Sequence, residues 1–248
     1  MNPMATKKYK IAERVIAVTS IYDRVHSFCR DYEINTNAPA DFSVQTTPED
    51  IIHEREKVRS EYTLEGKPVP SFSEELLEET AVYRKIAEEM VRYNTFVFHG
   101  SAVALDGEGY LFTAKSGTGK STHVRLWCER LGDRAVMVND DKPLLRVTDS
   151  GVIVYGSPYN GKHRLGSNIS VPLKAIGILS RGDKNQVQQI TKRQAYAMLV
   201  QQSYHPVSPE KMKKTLELLD IMAEKVAIYQ ICCTMEPEAA EIAYQAMK

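Results

Sequence analysis

Residues 114–123, AKSGTGKSTH, nearly reproduce the phosphate-loop pattern G-x-x-x-x-G-K-[ST], with Ala114 in the first place and Gly119, Lys120 and Ser121 in the last three. Gly117 adds a second flexible position. A loop of this kind turns backbone N–H groups inward, and a helix N-terminus behind it adds partial positive charge. The expected phosphate contacts are Ser116, Gly117, Thr118, Gly119, Lys120, Ser121 and Thr122, with Lys120 reaching the β- and γ-phosphates and Ser121 on Mg²⁺. Alanine at the first position matters only if that residue needs a positive φ, where it would cost about 1 kcal/mol or more.

About twenty residues on, RAVMVNDD ends in Asp140 and Asp141. Adjacent carboxylates permit a division of labour: one holds Mg²⁺ and the other takes a proton from an attacking hydroxyl, with Asp141 set beside Ser121 as the metal pair. His99, in FVFHG, is a further candidate base or ligand, although an isolated histidine is more often a satisfied core residue. Lys162, His163 and Arg164, in YNGKHRLG, lie in a turn-rich stretch. Lys162 and Arg164 can supply cations to a transferring phosphoryl group, and a solvated basic turn reads equally well.

These residues need elements to hold them. GYLFTA reads as the strand before the loop and THVRLWCERLG as the helix after it, ending at Gly132. TFVFHGSAVAL is a β-rich run joined to GYLFTA by a turn at Asp106–Gly109, and RAVMVND is a buried-type strand delivering the acids at a sheet's carboxyl edge. LLRVTDSGVIVYG reads as a hairpin turning at Asp149, Ser150 and Gly151, followed by helices at about 191–203, 208–225 and 236–247. A strand, AIYQICCTM, falls between the last two. Upstream, KIAERVIAVTS alternates like one strand and IYDRVHSFCRDY reads as a short helix. TPEDIIHEREKVRSEY carries Thr47 as N-cap and Pro48 at the first helical position. SFSEELLEETAVYRKIAEEMVRYN places Ser71 and Glu74 at capping-box spacing, with Leu76, Thr80, Tyr83, Ala87 and Met90 on one stripe. The texture changes near residue 95, dividing the chain into an N-terminal α+β region, 1–94, with a recognition or lid role, and a catalytic domain, 95–248.

Composition narrows the partners. The 32 basic residues balance 32 acidic ones, and no basic block marks a nucleic-acid or membrane-surface binder. Polar residues interrupt every apolar run near the start, so a signal segment or membrane span is not expected, and the expected location is cytoplasmic. Cys29, Cys128, Cys232 and Cys233 form no CxxC pair and read as buried free thiols.

The order of motifs, HG before a hairpin, then SGTGKST, then DD, resembles the catalytic domain of HPr kinase/phosphorylase. More distantly it resembles the nucleotide-binding half of ATP-dependent phosphoenolpyruvate carboxykinase. The similarity covers roughly residues 95–180. It implies an α/β fold with a mixed β-sheet, a PEP carboxykinase-like nucleotide-binding core with a P-loop, flanked by the smaller N-terminal region and C-terminal helices. It also implies ATP and Mg²⁺ as cofactors, an ATP-dependent kinase acting on the hydroxyl of a small molecule or a protein serine, and a homo-oligomer. By this resemblance Asp140 and Asp141 match the family's acidic pair, His99 its nearby histidine, and Lys162 a carboxykinase lysine. KHRLGSNISVPLKAI stands where HPr kinases carry the EIRGLGI signature of the reverse reaction, so phosphorolysis is not implied. The alternative is an accessory or sensor protein that binds ATP without turnover.

Overall fold

The computed structural model describes residues 5–161 and 163–248. They divide into two compact units, Met1–Glu89 and Met90–Lys248.

In the first unit β1 (Ala5–Ile11) and β2 (Arg14–Ser20) form an antiparallel hairpin, so the run 10–20 is two strands rather than one. The chain reverses at Ala12 and Glu13 with φ of 45° and 65°, the backbone of a tight hairpin turn without its usual Asn or Gly. The expected short helix is a single turn, α1 (Arg24–Phe28), continued by a 3₁₀ turn at Arg30–Tyr32. β3 (Phe42–Gln45) then pairs parallel to β2. α2 (Pro48–Leu64) starts at the expected cap: the Thr47 hydroxyl accepts from the backbone of Asp50, and the Asp50 carboxylate accepts from the Thr47 N–H. α3 (Glu74–Met90) starts later than the capping-box spacing predicts, because Ser73 rather than Ser71 accepts from the Leu76 N–H. Ala87 and Met90 of the expected stripe are buried, but Leu76 and Tyr83 are only partly so and Thr80 is exposed; the rest of the buried face is Leu77, Glu78, Ala81, Val82 and Ile86. The Glu78 carboxylate, fully buried, is satisfied by the N–H groups of Ile21 and Tyr22 and the hydroxyl of Thr46, as a charge out of water requires.

The second unit is a large mixed sheet with helices on both faces. TFVFHGSAVAL is not one strand: β4 (Thr95–Val97) and β5 (Ser101–Leu105) part at His99 and Gly100 and pair with different neighbours. A side chain at Gly100 would meet the Phe112 carbonyl at 2.9 Å, so only glycine lets the chain cross here. β5 turns tightly at Asp106–Gly107, φ 52° and 85°, into β6 (Glu108–Thr113). α4 (Lys120–Leu131) follows the glycine loop, and β7 (Ala135–Asn139) returns to the sheet. β8 (Leu144–Val147) and β9 (Val152–Tyr155) form the expected hairpin. β10 (Ser170–Arg181), twelve residues long, pairs antiparallel with β9 at its start and parallel with β6 further along. The remainder is β11 (Gln186–Ile190), α5 (Lys192–Gln202), α6 (Pro209–Lys225), β12 (Ala227–Cys233) and α7 (Glu238–Met247).

Neighbouring strands run β4-β8-β9-β10-β6-β5-β7, and β12 joins β10 to β11. Alternate residues of the central strands enter opposite layers. Ala102, Ala104 and Leu111 pack with α5 and α6 through Leu199, Leu218 and Met222. Val103, Leu105, Tyr110 and Phe112 pack with α4 and α7 through Trp127, Ala240 and Ala243. β7 is a sheet edge with Val136 42% exposed, not the strand buried on both sides that its apolar run suggested. Among the described residues no helix is long and apolar enough to cross a membrane. All four cysteines are free; Cys29 is buried, and Cys128, Cys232 and Cys233 are only partly so.

Candidate functional site

β5 is antiparallel to both β6 and β7, so β6 and β7 end at the same sheet edge where β5 begins. That topology gathers three stretches distant in sequence: His99–Ser101 before and at the start of β5, residues 114–121 after β6, and Asp140–Asp141 after β7. β10 runs parallel to β6 and delivers Arg181 to the same edge.

Ala114 is fully buried and is absent from the residues with positive φ, so the missing first glycine imposes no backbone strain. The loop's left-handed residues are Gly117, φ 76°, and Gly119, φ 114°. Neither has an atom within 4 Å of an added side chain, so conformation rather than space demands glycine at both. Thr118 closes the turn, its N–H and hydroxyl both donating to the Lys115 carbonyl at 3.2 and 2.8 Å. The backbone N–H groups of Gly117, Gly119, Lys120 and Ser121 donate to no acceptor among the described residues. With the N-terminus of α4 behind them, they form a concave set of unspent donors suited to an anion. The Lys120 ammonium reaches back to the Ala114 carbonyl at 3.4 Å. Its pKa is lowered by burial, an effect partly opposed by the charges of Asp141 and Asp140.

The two aspartates are not equivalent. Asp140 is 7% exposed and its Oδ1 accepts from the Ser101 hydroxyl at 3.0 Å. Asp141 opens to the surface, with Oδ1 3.5 Å from His99 Nε2 and Oδ2 paired with the Lys142 ammonium. Asn139 shapes this turn: its Oδ1 accepts from the N–H groups of Asp141 and Lys142 at 2.9 and 2.7 Å, and its amide donates to Ser157. His99 has its pKa lowered by burial and by the Lys120 charge, against the opposing pull of Asp141. The His99 N–H donates to the carbonyl of Gln202, at the end of α5, at 2.7 Å.

Lys162 lies outside the described residues. Arg164 is exposed with φ 51°, on the turn that Gly161 packs against the acidic pair; a side chain at Gly161 would lie 3.4 Å from Asp141. The structure therefore brings together His99, the glycine loop, Asp140 and Asp141. It adds residues that sequence reading missed: Ser101, Asn139, Lys142, Arg181 and Gln202. The Arg181 guanidinium donates to the carbonyls of Gly117 and Thr118 at 2.6 and 3.0 Å, tying the loop to β10. The NDDK tetrapeptide was legible as a polar turn; Arg181 and Gln202 carry no local signal at all.

Ser121 and Asp141 offer hard oxygen donors, which fit Mg²⁺, although no cluster of three or more metal-ligating side chains exists among the described residues. That set matches a cation that arrives on phosphate oxygens and keeps several waters, rather than one caged by protein.

A mixed-sheet α/β unit with a glycine loop and an acidic pair at one sheet edge defines the class. The family model of the SynChlorMet cassette protein ScmC matches residues 67–239, and the chain belongs to that family. No curated protein matches the sequence. Among solved structures, the Hpr(Ser) kinase/phosphatase from Coxiella burnetii is similar at 10% identity and a TM-score of 0.36, over 60% of this chain and 93% of that one.

Proposed function

We propose that the second unit is an ATP-dependent phosphotransferase acting on a hydroxyl group of a small molecule or of a protein serine. The observation that carries the reading is the single sheet edge at which unspent N–H donors, Lys120, the Asp140–Asp141 pair and His99 converge. The loop and the α4 N-terminus hold the phosphates, and Lys120 sits where charge on the transferring group is neutralised. Mg²⁺, carried by the nucleotide and met by Ser121 and Asp141, would neutralise charge between the β- and γ-phosphates. The buried Asp140, held by Ser101, fixes the acidic turn; Asp141 meets the metal, and His99 beside it is the accessible proton acceptor. The motif resemblance to the HPr kinases supports the same assignment.

One observation favours a second reading, ATP binding without turnover: Lys142 already neutralises Asp141, and a metal must displace it. Turnover separates the two. With γ-labelled ATP, Mg²⁺ and both a hydroxyl-compound panel and a whole-cell protein extract, the kinase reading expects label on an acceptor. Lys120→Ala is expected to weaken ATP binding roughly ten- to a hundredfold, the effect of losing a charge-assisted contact to phosphate. Asp141→Asn is expected to cut transfer by about a hundredfold or more with ATP affinity little changed. Tight ATP binding with no transferred label would establish the second reading instead.

A further inference from the structure

Beside the glycine loop, on the side away from the acidic pair, lies a cavity of about 530 Å³. Its lip is Lys115–Thr118, its floor the last residues of β10, and its far walls Met198 of α5 and Gln230 of β12. Four features give it a chemical character. Arg181, at the rim, is committed to the carbonyls of Gly117 and Thr118, so the lip is held from the cavity side. Met198 and Ile178 supply a polarizable and an aliphatic surface suited to the face of an aromatic ring. The Gln230 amide is oriented: Nε2 donates to the Ile178 carbonyl at 3.0 Å and to Ser180 Oγ at 3.4 Å. With Nε2 so used, Oε1 is left as an acceptor with no partner among the described residues. Finally, Met198 lies one helical turn before Gln202, whose carbonyl receives the His99 N–H, so α5 walls both this cavity and the catalytic end.

We propose that this cavity seats the nucleoside of the phosphoryl donor and that Gln230 Oε1 selects a base bearing an exocyclic amino group, adenine over hypoxanthine. The inference rests on the phosphate-loop reading and adds to it the seat of the base and the residue that selects it. An apolar slot that accepts a ring of either kind discriminates weakly, whereas an oriented acceptor meets an N–H in adenine and the lone pairs of a carbonyl oxygen in hypoxanthine. The volume suits a base and ribose, and the lip is continuous with the loop that would hold the phosphates.

The test is direct binding of three probes, ATP, inosine triphosphate and inorganic tripolyphosphate, by calorimetry on the full chain and on Gln230→Leu. The wild-type chain is expected to bind ATP about tenfold more tightly than inosine triphosphate, the size of one neutral hydrogen bond. Gln230→Leu is expected to bring the two nucleotides within about twofold of each other while leaving tripolyphosphate affinity unchanged, which also reports that the variant is folded. Met198→Ala, on the opposite wall, is expected to weaken both nucleotides together and spare tripolyphosphate. Equal binding of the two nucleotides by the wild-type chain, or a preference that survives Gln230→Leu, overturns the nucleoside seat and leaves the phosphate loop standing. Failure to bind tripolyphosphate and ATP alike overturns the phosphate loop itself, and the seat with it.

Discussion

His123, the last residue of the glycine-loop stretch, shows how burial governs a single side chain. It is 2% exposed, and burial lowers its pKa to about 4. Its Nε2 accepts from the indole N–H of Trp127, the only tryptophan in the chain, at 3.2 Å. The ring is therefore neutral with its proton on Nδ1, which has no partner among the described residues. Because the folded pKa lies below the unfolded value of about 6.5, the unfolded chain takes up a proton first as pH falls. Stability is full above pH 6.5 and is lost progressively toward pH 4, by roughly 3 kcal/mol from this group. Urea unfolding followed by Trp127 fluorescence, without nucleotide or metal, should show that loss. His123→Gln, which cannot be protonated, should flatten that part of the pH dependence even if it lowers stability overall.

At the scale of elements, the strand–loop–helix from β6 to α4 depends on two glycines and not on the one the usual pattern begins with. Gly119→Ala forces a side chain onto φ 114° and is expected to destabilise by about 1 kcal/mol or more while weakening ATP binding. Ala114→Gly, at a position without positive φ and with its methyl group in the core, is expected to leave ATP affinity unchanged and to lower stability by up to about 1 kcal/mol, through chain entropy and lost packing. Thermal unfolding and calorimetric titration of the two variants check both outcomes. The reverse pattern, with Ala114→Gly improving binding, would mean that the loop adopts a different backbone when loaded. This segment was readable because its determinants are local: glycine where φ is positive, lysine at the helix start, and a β-rich apolar run before it. The split of residues 95–105 into β4 and β5 was not readable, since what breaks the strand at Gly100 is the approach of Phe112 from another strand.

At the scale of the molecule, every residue of the candidate site described here lies in Met90–Lys248, and that unit has its own two-faced core. A fragment spanning residues 90–248 is expected to unfold cooperatively and to bind ATP within a few-fold of the full chain, measured by calorimetry. A loss of folding or of binding in the fragment would assign residues 1–89 a direct part in forming the site. The boundary falls near the change of texture at residue 95, a few residues earlier because the 3₁₀ turn Val91–Tyr93 packs against α6 and β4.

From the residues alone came the glycine loop, its helix, the acidic pair after a strand, the β8–β9 hairpin and the cap at Thr47, all set by neighbours within a few positions. Tertiary structure alone decided what meets across the sheet. It separated a buried Asp140 from an accessible Asp141, and it brought Gln202 to His99, Arg181 to the loop and Gln230 to the cavity beside it. Those pairings join residues 52 to 103 positions apart, those of Arg181 and Gln230 through the parallel register of β6, β10 and β12, and a register between distant strands is set by the packing of both sheet faces, which no short stretch of the chain encodes.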